Sequence, residues 1–355
     1  MPQVSVVMPV RDGERWIAQS INSIQQQTLS DFELIVVDDG SVDRSLAIAE
    51  SLARTDARIR VLPLEKSGLV AALNCGFSNA SGRLIARLDA DDTAASDRLE
   101  KQAKYLDQHS DVGLLGTWAV KIGEDGQQLG HLRPETDPDC LAELLPRTNP
   151  FIHSSVMLRT AILERVDAYR ATFLAAEDYD LWLRISEVTK VANLPECLVE
   201  YRCHPEGVSH RSRVRQLFST RLAQRAAVAR RMAGHDPSAN LNAPPDWTDP
   251  HSRLSPFYGD LIELYQLLDL ADRSNDRPCD IRHMNLSCLN GGKDSLTHAE
   301  RKMAQLALFN VMRALDRPPP AQAAILLFHL VRLLPMRAIS IGWKALGSSW
   351  FGSGI

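Results

Sequence analysis

The stretch LIARLDADDTAASDR, residues 84–98, decides how this chain is read. Leu84, Ile85, Ala86 and Leu88 suit a strand inside a sheet, whereas Asp is among the residues that strands disfavour. Asp89, Asp91 and Asp92 nevertheless follow at once, and such carboxylates repel one another unless water, a cation or a basic group lies between them. Arg87 is a charge on the strand itself, costly to bury unless it meets a carboxylate or a phosphate. The plainer alternative is a strand end followed by a helix, with Ser96 as cap and Asp97 in the first turn. The rest of the chain decides between the two.

Working outward, SVVMPV (5–10), ELIVVDDG (33–40) and IRVLPL (59–64) repeat the apolar-run pattern. Helical stretches separate them. In ERWIAQSINSIQQQ (14–27) Trp16, Ile17, Ile21 and Ile24 share a face, and RSLAIAESLAR (44–54) has Ser41 or Asp43 available near its start. Strands alternating with helices predict an α/β protein with a mostly parallel sheet flanked by helices. Ligands of such sheets bind at the carboxyl ends of the strands. Polar residues gather at those ends: Arg11 and Asp12, Asp38 and Asp39, Glu65 and Lys66, then Asp89 to Asp92. Further strands are predicted at 112–123 and 154–159. Helices are predicted at 177–188, with Leu181, Trp182 and Ile185 turned inward, and at 214–233, where the helix is basic and amphipathic. A Pro-, Asp- and Ser-rich loop (242–256) and a C-terminal helical extension follow.

At 355 residues the chain is long enough for two domains, or for one large domain with an extension. The expected division is 1–212 for the sheet and its chemistry and 213–355 for a mainly helical region. A formal net charge of −4 makes no case for nucleic acid as a partner. The six cysteines form no CxxC pair, and the apolar start lacks a basic leader, so reduced thiols and a cytoplasmic location are expected.

Seven pieces in order carry a resemblance: VSVVMPVRDGERWIAQSINSIQQQT, ELIVVDDGSVD, GLVAALNCGFSNASGRLIARLDADD, DRLEKQ, NPFIHSSVMLR, EDYDLWLRI and YRCHPEGVS. Together they resemble the family-2 glycosyltransferases, inverting enzymes of the GT-A fold that use nucleotide-sugar donors, over roughly residues 4–209. The resemblance implies roles residue by residue. DAD resembles the family's DxD element, so Asp91 would bind a divalent cation, while Asp89 would face the ribose or help to hold the metal. Oxygen ligands without thiolate suit Mn²⁺ or Mg²⁺. Asp39, beside Asp38, resembles the acid that contacts base or ribose, and its acceptor oxygens favour the imide of UDP, with dTDP second. Pro9, Val10 and Arg11 would lie against the base, and Lys66 and Gly68 resemble the donor-side turn. Arg87 and Ala90 complete the donor set.

Glu177 and Asp178 resemble the catalytic acid pair, with Asp178 as the base that deprotonates the acceptor hydroxyl. The plainer reading of the pair is that it offsets a helix N-terminus. His204 resembles a histidine that closes over the diphosphate, which implies a further ligand for the metal. His153 and Trp182 fall on the expected acceptor side. The implied acceptor is a saccharide or lipid-linked saccharide, in cell-surface polysaccharide or glycan synthesis. A sugar-1-phosphate nucleotidyltransferase would carry a Gly-rich basic loop after the first strand, where PVRDGERW has one glycine and two acids. A catalytically silent nucleotide-sugar binding protein is the other alternative, separable by product formation.

The stretch 323–351 is apolar but holds His329, Arg332, Pro335 and Arg337, and the run 323–330, ahead of its first arginine, is too short to span a bilayer. Its basic residues and Trp343 and Trp350 suit a helix in the headgroup layer of an anionic membrane, and the plainer reading is a helix packed on the protein's own core. The first reading places the chain peripherally at the inner face of the membrane.

Overall fold

The computed structural model describes residues 1–204, 213–247 and 249–266, apart from Asp260, Glu263 and Leu264. Residues 323–351, and with them the expected interfacial helix, lie outside the described residues. A compact unit runs Met1–Pro244 and a second begins at Pro245.

The first unit starts with the expected alternation: β1 (Val4–Val10), α1 (Ile17–Gln25), β2 (Phe32–Asp39), α2 (Ser45–Ala53), β3 (Ile59–Leu64), α3 (Leu69–Ser78) and β4 (Leu84–Arg87). The four strands run parallel in the order β3-β2-β1-β4, with Val4 opposite both Phe32 and Leu84. Both faces are covered, which is why these strands read as unbroken apolar runs. Val4, Val6 and Met8 join Ile17, Ile21 and Ile24 of α1 in one core, while Ile35 and Val37 meet Ala72 of α3 on the other face. Helix α3 lies so close to the sheet that a Cβ on Gly76 would stand 2.3 Å from Val7 Cγ1.

Beyond β4 come β5 (Thr93–Ala94), α4 (Arg98–Gln108), β6 (Val112–Ile122), β7 (Gln128–Leu132), α5 (Pro138–Leu144), β8 (Met157–Arg159), α6 (Thr160–Val166), α7 (Glu177–Ser186), β9 (Lys190–Arg202) and α8 (Arg213–Ala233). Here the sheet turns mixed: β8 is antiparallel to β4 and β6, β7 to β6 and β5 to β9, while β6 and β9 pair in parallel. The strand expected over 154–159 shrinks to three residues because His153–Ser155 form a 3₁₀ turn. There the Ser155 hydroxyl donates to the Ile152 carbonyl, competing with ladder bonds. Strand β9 escapes a sequence reading because Pro195 and Glu196 interrupt it, and the register with β6 jumps there from Leu194 to Cys197.

The Ser96 cap of the plainer alternative is not formed. Helix α4 begins at Arg98 without a side-chain cap from Asp97, and the Leu99 amide donates instead to Gln27 Oε1, just beyond α1, at 3.0 Å. The basic helix α8 packs against α7 in the first unit, burying Phe218, Leu222 and Ala226.

Candidate active site

The turns after β1, β2 and β3 are tied to one another by their polar residues. Asp12 Oδ1 accepts the Val42 amide at 2.8 Å, and the Ser41 hydroxyl accepts the Asp12 amide at 3.0 Å. Gly40, at φ +67°, leaves no room for a Cβ, which would stand 2.9 Å from the Lys66 amide nitrogen. Asp39 is buried and its carboxylate accepts the amides of Ser67 (2.6 Å) and Gly68 (3.0 Å), with Arg11 Nη1 4.0 Å away. Asp38 Oδ2 takes the Ser41 amide, and its buried Oδ1 has no hydrogen-bond partner. Thus Pro9, Val10, Arg11, Asp38, Asp39 and Gly68 border one edge of the sheet, and Lys66 stands exposed in the same turn.

The fourth strand end is the acidic one. Arg87 is 2% exposed, and its guanidinium forks onto both oxygens of Asp89. The Ser154 hydroxyl accepts from Arg87 at 2.8 Å and donates to Asp89 Oδ2 at 3.0 Å. The buried strand charge is therefore paired, as the physics required. Beneath it, Arg98 is fully buried and donates to the Arg87 carbonyl at 2.8 Å. Burial, then the neighbouring charge of Arg87, pushes its guanidinium down to about 9.

Oxygens of Asp89, Asp91 and Asp92 all lie within 4.8 Å of one another. Asp92 is buried; its Oδ1 accepts the Arg202 amide at 2.7 Å and its Oδ2 has no partner. Burial, then the charges of Asp91 and Asp89, pushes Asp92 well above the usual carboxylate range, and burial raises Asp89 despite Arg87. Three crowded oxygen donors, one of them buried and orphaned, with no thiolate among them, form a set that fits a hard divalent cation such as Mn²⁺ or Mg²⁺.

His204 Nε2 donates to Asp91 Oδ2 at 2.8 Å, and its ring sits 4.6 Å from that of Trp16. Arg202, at the end of β9, donates to the Asp91 carbonyl at 2.8 Å and to Gln19 Oε1 at 3.0 Å. The unanticipated strand β9 is thus what carries His204 to the acidic turn. Ala90 is nearly buried, its carbonyl accepting the Ser20 hydroxyl at 2.7 Å.

Helix α7 opens with Glu177 and Asp178. Burial, then the Asp178 charge, pushes Glu177 up to about 7; burial also raises Asp178. Asp178 is half-buried, with Oδ2 accepting Asn149 Nδ2 at 2.8 Å and Oδ1 the Tyr179 amide at 2.7 Å. The His153 ring nitrogen Nε2 and the Tyr169 hydroxyl are hydrogen-bonded at 2.8 Å. Burial, then Arg87, pushes His153 well below its usual value, so it is neutral near pH 7. Trp182, expected on the acceptor side, is fully buried under the rings of His153, Tyr169 and Phe151 and offers an acceptor no surface. An inward-facing helix position accounts for this: Leu181, Trp182 and Ile185 all face the core.

Arg87 links the two halves of the site, since its charge acts on Asp89 and Asp92 and also on His153, Tyr169, Glu177 and Asp178. Ser154, Asn149, Tyr169 and Arg202 had no assigned role in the sequence. The first two lie inside NPFIHSSVMLR, so their place in a motif was a usable signal. Tyr169 sits in a loop with none, held there by Asn74, which accepts its amide at 3.0 Å and donates to its carbonyl at 2.8 Å.

Comparison with known proteins accords with this architecture. The O-antigen biosynthesis glycosyltransferase WbnJ of Escherichia coli is 35% identical over 210 residues, 58% of this chain and 81% of WbnJ. Among solved structures, S. aureus TarS 1-349 in complex with UDP aligns with a TM-score of 0.52 at 19% identity, covering 91% of this chain and 83% of that one. The mannosyltransferase PcManGT from Pyrobaculum calidifontis, in complex with GDP-Man and Mn²⁺, aligns with a TM-score of 0.52 at 17% identity, covering 99% and 88%. The profile of Glycosyl transferase family 2 matches residues 5–167. With the four parallel strands, the acidic turn after β4 and the Glu-Asp pair on α7, the chain belongs to glycosyl transferase family 2 and has the GT-A fold.

Proposed function

We propose that this glycosyltransferase moves a sugar, with inversion, from a nucleotide-diphosphate sugar to a hydroxyl of a saccharide or lipid-linked saccharide in cell-surface polysaccharide synthesis. The observation that carries the reading is the pairing of two acidic centres through Arg87: the Asp89–Asp91–Asp92 turn and the Glu177–Asp178 helix start. Asp91, Asp92 and Asp89 would hold Mn²⁺ or Mg²⁺, with His204 beside them. A bound divalent cation supplies Lewis-acid stabilisation of the leaving diphosphate. Asp178 takes the proton of the attacking hydroxyl, and one base suffices for an inverting transfer. His153 and the Tyr169 hydroxyl lie on the acceptor side. Asp39, whose carboxylate oxygens keep lone pairs beyond the Ser67 and Gly68 amides, reads the imide of a uracil, so UDP-sugars are the favoured donors.

The names of the relatives support this reading: WbnJ is an O-antigen enzyme, TarS binds UDP and PcManGT binds a nucleotide-sugar with Mn²⁺. Residues 1–212 would supply donor binding and catalysis, and 213–355 contact with the inner face of the membrane. No described helix is long and apolar enough to cross one.

UDP release from a panel of UDP-sugars with Mn²⁺ tests the proposal. Asp178→Asn should cut turnover by ~10²-fold or more while donor binding persists, and EDTA should abolish release. Full activity after exhaustive chelation, or normal turnover in Asp178→Asn, overturns it. Binding without product identifies a silent binding protein.

A further inference from the structure

Glu177 and Asp178 are adjacent carboxyls in the first turn of α7, and burial pushes both above the usual range. Two neighbouring carboxyls, one buried and one half-buried, do not both ionise cheaply. A single base therefore requires that something choose which of them carries the charge.

The charged and titratable groups around the pair do not discriminate between its members. Arg87, from β4, favours the ionised form of both Glu177 and Asp178. Tyr169, from the loop before α7, is held protonated by burial and is acted on by both carboxyls, with Asp89 behind it. Backbone amides reach both: those of Ala175 and Glu177 lower Glu177, and that of Tyr179 lowers Asp178.

Asn149 is different. Its Nδ2 donates to Asp178 Oδ2 at 2.8 Å, whereas among the described residues no side-chain hydrogen bond lowers Glu177. Nor can its amide turn freely, because Oδ1 accepts the Phe151 amide at 3.1 Å, which leaves Nδ2 facing the carboxylate. The segment is itself anchored. Phe151 is buried with its ring against Trp182, and the Pro150 carbonyl accepts Asn193 Nδ2 at 3.0 Å.

We propose that Asn149 is a positioning residue that makes Asp178, rather than Glu177, the ionised carboxyl and fixes the orientation of its Oδ2. The inference rests on the reading of Asp178 as the base. A donor aimed at a carboxylate stabilises the charged form, so its loss must raise the pH at which Asp178 ionises.

The experiment uses the full chain carrying ¹³C-carboxyl aspartate. The Asp178 resonance is identified by its loss in Asp178→Asn and followed from about pH 4 to 9 in wild type, Asn149→Ala and Asn149→Asp. The second variant keeps the shape and replaces the donor with an acceptor. Asn149→Ala should raise the Asp178 midpoint by about one pH unit, the scale of a hydrogen bond to a charged group. Asn149→Asp should raise it further. The acid limb of UDP release from UDP-sugar with Mn²⁺ should move by the same amount, which a merely structural role would not produce. An unchanged midpoint in both variants overturns the proposal while leaving Asp178 as base. Normal turnover in Asp178→Asn sinks the base reading and the proposal with it.

Discussion

Asp180, two residues beyond the proposed base, is fully buried and accepts from two guanidinium groups at once. Arg170 donates through Nε at 2.9 Å and Nη2 at 2.5 Å, and Arg184 through Nε at 3.0 Å and Nη2 at 2.8 Å. Arg184 uses its remaining donors on the carbonyls of Val166, Asp167 and Ala168, fastening the loop that carries Tyr169 to α7. Replacing Asp180 with Ala leaves both cations without their shared counter-charge. Removing one partner of a buried pair costs about 3–5 kcal/mol. Arg170 keeps Asp236 at 2.8 Å, so the lower end, about 3 kcal/mol, is expected. At the ~2–4 °C per kcal/mol usual for domains of roughly this size, Tm should fall by about 6–12 °C.

Urea unfolding of wild type, Asp180→Ala and the double variant Asp180→Leu with Arg184→Met measures this directly. If the cost is an orphaned charge, the double variant should be more stable than Asp180→Ala, because two apolar groups leave less charge uncompensated. A loss below about 1 kcal/mol in Asp180→Ala, or a double variant less stable than the single one, refutes the reasoning.

Glu177→Gln should flatten the dependence of stability on pH. Its folded-state value of about 7 exceeds the ordinary 4.5, so the folded state holds a proton that the unfolded chain releases. The stabilising contribution is whole below about pH 4.5 and lost as pH rises through about 7, at most ~3 kcal/mol in all. Melting curves at pH 5 and 8 check this, and an equal wild-type and variant slope contradicts it. Gly76→Ala drives a methyl to 2.3 Å from Val7 Cγ1 in the middle of the sheet. A cost of about 1–3 kcal/mol from overpacking should exceed the ~1 kcal/mol gained in helix propensity, lowering the urea midpoint. A raised midpoint would show that α3 can move off β1.

The alternation of apolar runs and amphipathic helices up to Arg87 was legible by itself, because strands covered on both faces must be apolar throughout and their helices must carry one apolar stripe. The acidic turn after β4 stood out because neighbouring carboxylates at a strand end repel one another, and the family resemblance of DAD then gave it a role. Asp178 was singled out by the family resemblance of its segment, since an acid at a helix start is by itself ordinary. The tertiary structure alone decided what neutralises and positions those groups. Arg87 is paired by Asp89 two residues away, but its second partner, Ser154, comes from a turn that read as strand. His204 reaches Asp91 only because β9 pairs with β6 across the break at Pro195, a pairing with no local pattern. Asn149 and Tyr169 approach the site by contacts that span 29 and 95 positions of sequence, to Asp178 and Asn74. Periodicity records which face of an element is buried; it does not record which distant element supplies the hydrogen bond that a buried charge requires.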